Sequence, residues 1–136
     1  MKSRIIVVGI VKKGSKYLLG RKAPDKGPYP NTWHILGGGI NLGEETIEEA
    51  IRREIKEEAG IEIQNIQRIT FDEDIQPNKY GEMTYYIFLD FIAEYKSGTI
   101  TPGDDIAEVK WVDKSELEKI NVNEPTKKLF KKMGLL

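Results

Sequence analysis

At 136 residues, with 39% hydrophobic and 32% charged residues, the chain has the size and balance of one soluble globular domain. A net charge of −1 gives no global drive toward nucleic acid or anionic membrane, and the absence of cysteine excludes a disulfide framework, a thiolate nucleophile and a cysteine zinc site. The apolar run Ile5–Val11 is too short to cross a membrane and has no signal-peptide cleavage pattern, so a cytoplasmic protein is expected.

Arg4–Lys12 is β-branched and nearly continuous, which predicts a buried central strand. Lys13-Gly14-Ser15 is a turn, and Lys16–Lys22 a partner strand ending in two basic residues. Ala23–Asn31 holds three prolines and a glycine and reads as a loop. Thr32–Leu36 is a short strand entering a glycine-rich loop. Thr46 and Glu49 form a capping box before a helix whose apolar face is Ile47, Ala50, Ile51, Ile55 and Ala59. Gly60 stands where a left-handed C-terminal residue is wanted. Ile61–Phe71 is strand-like, and Asp72–Gly81 reads as a polar loop. Glu82–Tyr95 is the longest strand signal, and a turn follows at Ser97-Gly98. Pro102–Asp105 is a loop, Glu108–Val112 a short strand and Lys114–Ile120 a short helix. Glu124–Met133 is a final helix with Leu129, Phe130 and Met133 inward and lysines outward. Strands on both sides of one helix, with a second helix at the end, predict a mixed sheet between helices, an α/β domain.

The chemistry concentrates in Gly37–Ile61. Helical spacing sets Glu57 and Glu58 one turn beyond Glu54. Three neighbouring carboxylates repel one another unless a hard divalent cation sits among them, and oxygen ligands favour Mg²⁺ or Mn²⁺. The glycines let backbone approach a ligand closely. Loop, metal and carboxylates together point to a polyphosphate substrate attacked by water. The competing account is a solvated helix face with i,i+4 ion pairs, worth about 0.3–0.5 kcal/mol each.

The residue order decides between them. Gly39, Glu45, Arg53, Glu54, Ile55, Glu57, Glu58, Gly60 and Ile61 fit the Nudix box without a gap, and the chain is identified as a member of the Nudix superfamily, a single domain over 1–136 with its box at about 38–61. The resemblance implies the Nudix fold, an α/β/α sandwich with a mixed central sheet. One register is open. The common loop pattern fits if one residue is inserted before the helix, which makes Gly38 and Glu44 the box glycine and glutamate; this register is preferred because it keeps Gly43-Glu44 in its usual place. Leu36 and Asn41 then replace the family's proline and glutamate.

The resemblance also implies roles. Glu54, Glu57 and Glu58 would hold the metal with a loop carbonyl of Gly38 or Gly37, and Glu54 would orient or deprotonate water, fixed by Arg53. Asp104 or Asp105 is placed to add a ligand, ahead of Glu108 and Glu73. The family cleaves a nucleoside diphosphate linked to another group. Asn123-Glu124-Pro125 resembles a base-contacting motif of MutT-type enzymes, although Asn123 equally suits the cap of the last helix. Arg21 and Lys22 resemble phosphate-contacting residues, and His34 a residue beside the nucleoside. Trp33 is either a core residue or a stacking platform. The leading expectation is a MutT-like hydrolase giving nucleoside monophosphate and pyrophosphate; the alternatives are cleavage of ADP-ribose or a nucleotide sugar, and a catalytically silent nucleotide sensor. The expected partner is a small nucleotide, with neither membrane nor primary nucleic-acid binding, in a monomer or homodimer.

Overall fold

The sheet grows outward from one strand, β1 (Lys2–Lys13), because its β-branched run can be buried on both faces. The computed structural model describes residues 1–24, 29 and 31–136, so the loop expected over Ala23–Asn31 lies partly outside the described residues. β1 runs parallel to β6 (Met83–Ser97), from Lys2↔Thr84 to Lys12↔Glu94. On its other side β1 has two antiparallel partners in succession. Ile6–Gly9 pair with β4 (Leu36–Gly39), and Lys12–Lys13 pair with β2 (Lys16–Lys22). β3 (Trp33–His34) and β7 (Ile106–Asp113) flank β2, and β5 (Glu62–Pro77) flanks β6.

Helix α1 (Ile47–Ala59) covers one face and packs Ala50, Ile51, Ile55 and Ala59 against Val7, Val11 and Phe91. A 3₁₀ turn (Lys114–Lys119) and α2 (Glu124–Lys132) cover the other, where Leu117, Leu129 and Phe130 meet Ile10, Tyr17 and Leu19. This is the expected α/β/α sandwich around a mixed sheet. Among the described residues no helix is long and apolar enough to cross a membrane.

Three local expectations change. Thr32–Leu36 is not one strand: the chain breaks at Ile35, pairing His34 with Gly20 on one side and Leu36 with Gly9 on the other. Gly37–Gly39 are not a loop but the body of β4. A Cβ on Gly37 would overlap the Val7 carbonyl, so only glycine can lie this close to β1. Asp72–Pro77, read as a polar loop, continue β5, because β6 supplies ladder partners as far as Pro77↔Met83. Their polarity reflects a strand with one face toward water, for which composition alone is a poor guide.

Candidate active site

The capping box starts α1 as its sequence requires. The Thr46 hydroxyl accepts from the Glu49 N–H at 3.1 Å, and the Glu49 carboxylate accepts from the Thr46 N–H at 2.8 Å. Gly60 closes the helix at φ 74°. The apolar stripe then fixes rotation, so that Glu54 and Glu58 lie buried at 7% and 3% exposure while Glu57 stays at the exposed rim.

The loop after β6 is clipped to the end of this helix. Thr101 N–H donates to the Ala59 carbonyl at 2.9 Å, and Gly103 N–H to the Glu58 carbonyl at 3.1 Å. This attachment carries Asp104 and Asp105 to Glu58, and one carboxylate oxygen from each lies within 4.8 Å of the others. Both aspartates named by the sequence therefore reach the helix. Glu108 does not: it pairs with Arg21. Glu73 sits on β5 and is not part of the cluster. Burial, then the charge of Glu54, pushes the Glu58 carboxyl well above its ordinary range, opposed by the Gly37 N–H at 2.9 Å and by Lys22. Glu54 is also raised, first by burial, against the guanidinium of Arg53. A crowded, partly buried set of hard oxygen donors is what a divalent cation would relieve.

Arg53 ties the loop to the helix. Its guanidinium meets Glu45 at 2.7 and 2.9 Å, Glu54 at 2.8 Å, Glu57 at 3.2 Å and the Gly39 carbonyl at 3.1 Å. The partner is Glu45, whose carboxyl Arg53 holds down at about 2, whereas Glu44 is exposed in the turn around Gly43. The Arg53 contacts thus fall on Gly39 and Glu45, against the preferred register of Gly38 and Glu44. The physical reason is local: the extra residue is absorbed by the turn Asn41–Glu44, so Glu45 occupies the position just before the cap. Gly38 keeps a different place, with its Cα against the Glu54 carboxylate, where any Cβ would collide with it.

From this acidic end a continuous groove crosses the sheet. Its first section is lined by Glu54, Glu58, Asp104, Asp105, Lys22 and Arg4. Its middle is lined by Tyr86, Phe88, Ile6, His34 and Asn123. It ends at Asp72, Asp90, Pro125 and Thr126. Tyr86 and Phe88 lie nearly parallel, with ring centroids 6.1 Å apart.

Of the expected substrate contacts, Lys22, His34 and Asn123 share this groove. Asn123 is also the N-cap of α2, its Oδ1 accepting from the Thr126 N–H at 2.9 Å. It reaches the groove because its own N–H donates to the Trp33 carbonyl at 2.9 Å, stitching the segment before α2 to β3. His34 is held neutral: burial pushes it down to about 4, Nδ1 lies 2.9 Å from the Ile35 carbonyl, and the buried Nε2 has no partner among the described residues. Arg21 is not brought in. A β-bulge between Arg21 and Lys22 separates them, and Arg21 turns to Glu108 on β7. Trp33 takes the core alternative, packed beside Tyr17 and Leu19 with the Lys110 ammonium 4.1 Å from its ring. Arg4, Tyr86, Phe88 and Asp90 were not singled out from sequence. Only the aromatic alternation in β6 carried a signal for any of them.

The comparisons agree with this geometry. The NUDIX domain model matches residues 2–133. This chain belongs to the Nudix hydrolases. It is 36% identical to a "Nucleoside triphosphatase NudI" of Enterobacter sp. (strain 638) and 34% identical to that of Escherichia coli K12, each over the whole of both chains. Among solved structures it resembles a MutT NUDIX hydrolase from Burkholderia pseudomallei, with TM-score 0.80 and 20% identity over 96% of this chain and 98% of that one. It also resembles the NUDIX domain of Shewanella oneidensis NrtR complexed with ADP ribose, with TM-score 0.77 and 14% identity over 96% and 86% of the two chains. These two show the fold. As a Nudix hydrolase the chain acts on acid anhydrides of phosphorus, and its acidic cluster could hold a divalent metal.

Proposed function

We propose that this Nudix hydrolase cleaves nucleoside triphosphates to nucleoside monophosphate and pyrophosphate, with Mg²⁺ as its metal. The observation that carries the proposal is the groove itself. It runs from carboxylates, past two cations, to stacked aromatic rings, the order in which metal, polyphosphate and base follow one another in a nucleotide. Full-length similarity to proteins named nucleoside triphosphatase supports it.

Glu58, Asp104 and Asp105, with Glu54 beside them, would hold the cation, and Glu57 would join from the rim. Bound there, a divalent ion supplies charge neutralisation to the phosphate oxygens. The protein does the rest. Lys22 and Arg4 bind the phosphate chain, and Tyr86 and Phe88 seat the base. Arg53 orients Glu54, whose carboxylate takes a proton from the attacking water. The water oxygen bonds to phosphorus, the anhydride P–O bond breaks, and pyrophosphate leaves with the electron pair of that bond.

A panel of the eight common ribo- and deoxynucleoside triphosphates, assayed for pyrophosphate, tests this. Wild type should release pyrophosphate, and Glu54→Gln and Glu58→Gln should each lose at least a hundredfold in kcat. No pyrophosphate from any triphosphate, with turnover of ADP-ribose, would refute it.

A further inference from the structure

The far end of the groove holds a carboxyl group that neither the metal chemistry nor the fold accounts for. Tyr86, Phe88 and Asp90 alternate along β6 onto one face of the sheet, beside Arg4, Ile6 and Val8 of β1. Two rungs separate Arg4 from Ile6 and two more reach Val8, so Asp90 lies roughly 13 Å along the strand from the cation level. That leaves room for a sugar and a base between them. Asp90 is 5% exposed and lines the closed end of the groove with Asn123 and Thr126. Its carboxyl has no hydrogen-bond or ion-pair partner among the described residues. The lysines that could neutralise it are engaged elsewhere: Lys128 and Lys132 lie 3.1 and 3.6 Å from Asp72 on β5.

A largely buried carboxyl with no protein partner among the described residues, at the end of a slot floored by apolar side chains, is placed to meet a ligand, because a polar group taken from water without a hydrogen bond is destabilising. We propose that Asp90 is a specificity-determining residue that reads the far edge of the nucleobase, pairing with an edge that sets a hydrogen-bond acceptor beside a donor. Asn123 assists: its Oδ1 is committed to the helix cap, so only its amide N–H₂ is left to donate into the groove. The inference rests on the nucleotide-hydrolase function proposed above.

The groups facing Asp90 decide its charge. Burial, then Asp72 across the ladder, pushes its carboxyl up to about 7, while Lys132 and Lys128 of α2 pull the other way. Below that value the neutral acid donates through O–H and accepts through C=O, matching a donor–acceptor edge. Above it the carboxylate only accepts, and one of the two bonds becomes a repulsion.

The test measures KM and kcat for the preferred triphosphate, and calorimetric affinity for the four common nucleoside monophosphates, at pH 6.0 and 8.5. Wild type, Asp90→Asn and Asp90→Leu are compared. The amide of Asp90→Asn supplies a donor and an acceptor at every pH. Wild-type KM and Kd should rise at least fivefold between the two pH values. Asp90→Asn should remove that rise and recover the binding that Asp90→Leu loses, tenfold or more, with the loss falling on KM more than on kcat. Binding that Asp90→Leu leaves within twofold of wild type would overturn the inference, as would an Asp90→Asn no better than Asp90→Leu, or wild-type affinity that improves as pH rises. Asp90-dependent binding of monophosphates without cleavage of any triphosphate would sink the proposed function and leave this inference standing. Cleavage that ignores Asp90 would do the reverse, and no binding of any monophosphate would overturn the inference.

Discussion

Replacing Asp90 by asparagine also has a consequence that needs no ligand. The folded carboxyl titrates at about 7 against an ordinary 3.8, because burial and Asp72 both oppose its charge. Between those values the folded chain keeps a proton that the unfolded chain has released. A raised folded value means that the stabilisation is complete below pH 4 and is lost as pH rises through 7. A difference of three units at 1.36 kcal/mol each bounds the loss at about 4 kcal/mol. Even buried sites respond as if surrounded by an effective dielectric constant of about 20, which lowers the expected loss to about 2 kcal/mol. Asparagine has nearly the same shape and no titration, so the stability advantage of Asp90→Asn over wild type should grow by about 2 kcal/mol between pH 4.5 and pH 8. Urea denaturation followed by fluorescence of Trp33 and Trp111 measures it, and comparing variants at each pH cancels the titrating groups that do not interact with Asp90. An advantage that changes by less than about 0.5 kcal/mol, within the error of such extrapolations, would show that the proton is not held where the burial of Asp90 requires.

Two further pairs of substitutions separate roles that the sequence left joined. Glu45→Gln should lower kcat at least tenfold by releasing Arg53 from its bidentate partner, whereas Glu44→Gln, in the exposed turn, should stay within twofold of wild type in the same pyrophosphate assay. Asn123→Ser keeps an N-cap acceptor but removes the amide donor, so its thermal midpoint should match wild type while KM for nucleotide rises; Asn123→Ala should in addition lose about 1 kcal/mol of stability. A KM for Asn123→Ser equal to that of wild type would reduce Asn123 to a cap alone.

The reaction class was readable from residue order because it depends on spacing along one helix. Thr46 starts the turn, Gly60 ends it, and 3.6 residues per turn set Glu54, Glu57 and Glu58 on adjoining positions whatever surrounds them. The burial of Ile51, Ile55 and Ala59 was legible for the same reason. The mixed α/β/α architecture also followed from the succession of elements.

What the tertiary structure decided is everything that depends on which distant segments meet. The register of the glycine loop could not be read from a pattern that fits in two ways; the Arg53 guanidinium chose Glu45 by reach. Gly37–Gly39 are a strand only because β1 offers them Ile6–Val8, and Asp72–Pro77 only because β6 is long enough to pair with them. Lys22 enters the groove and Arg21 leaves it through one bulge against β7. Asp90 was invisible in the sequence as a single acid within an apolar strand, and its part is set by three other elements: β1 floors the slot, the start of α2 closes it, and Asp72 on β5 occupies the lysines. Local periodicity encodes where a side chain lies on its own element, while its chemical environment is made by partners far away in the chain, and no spacing rule carries that information.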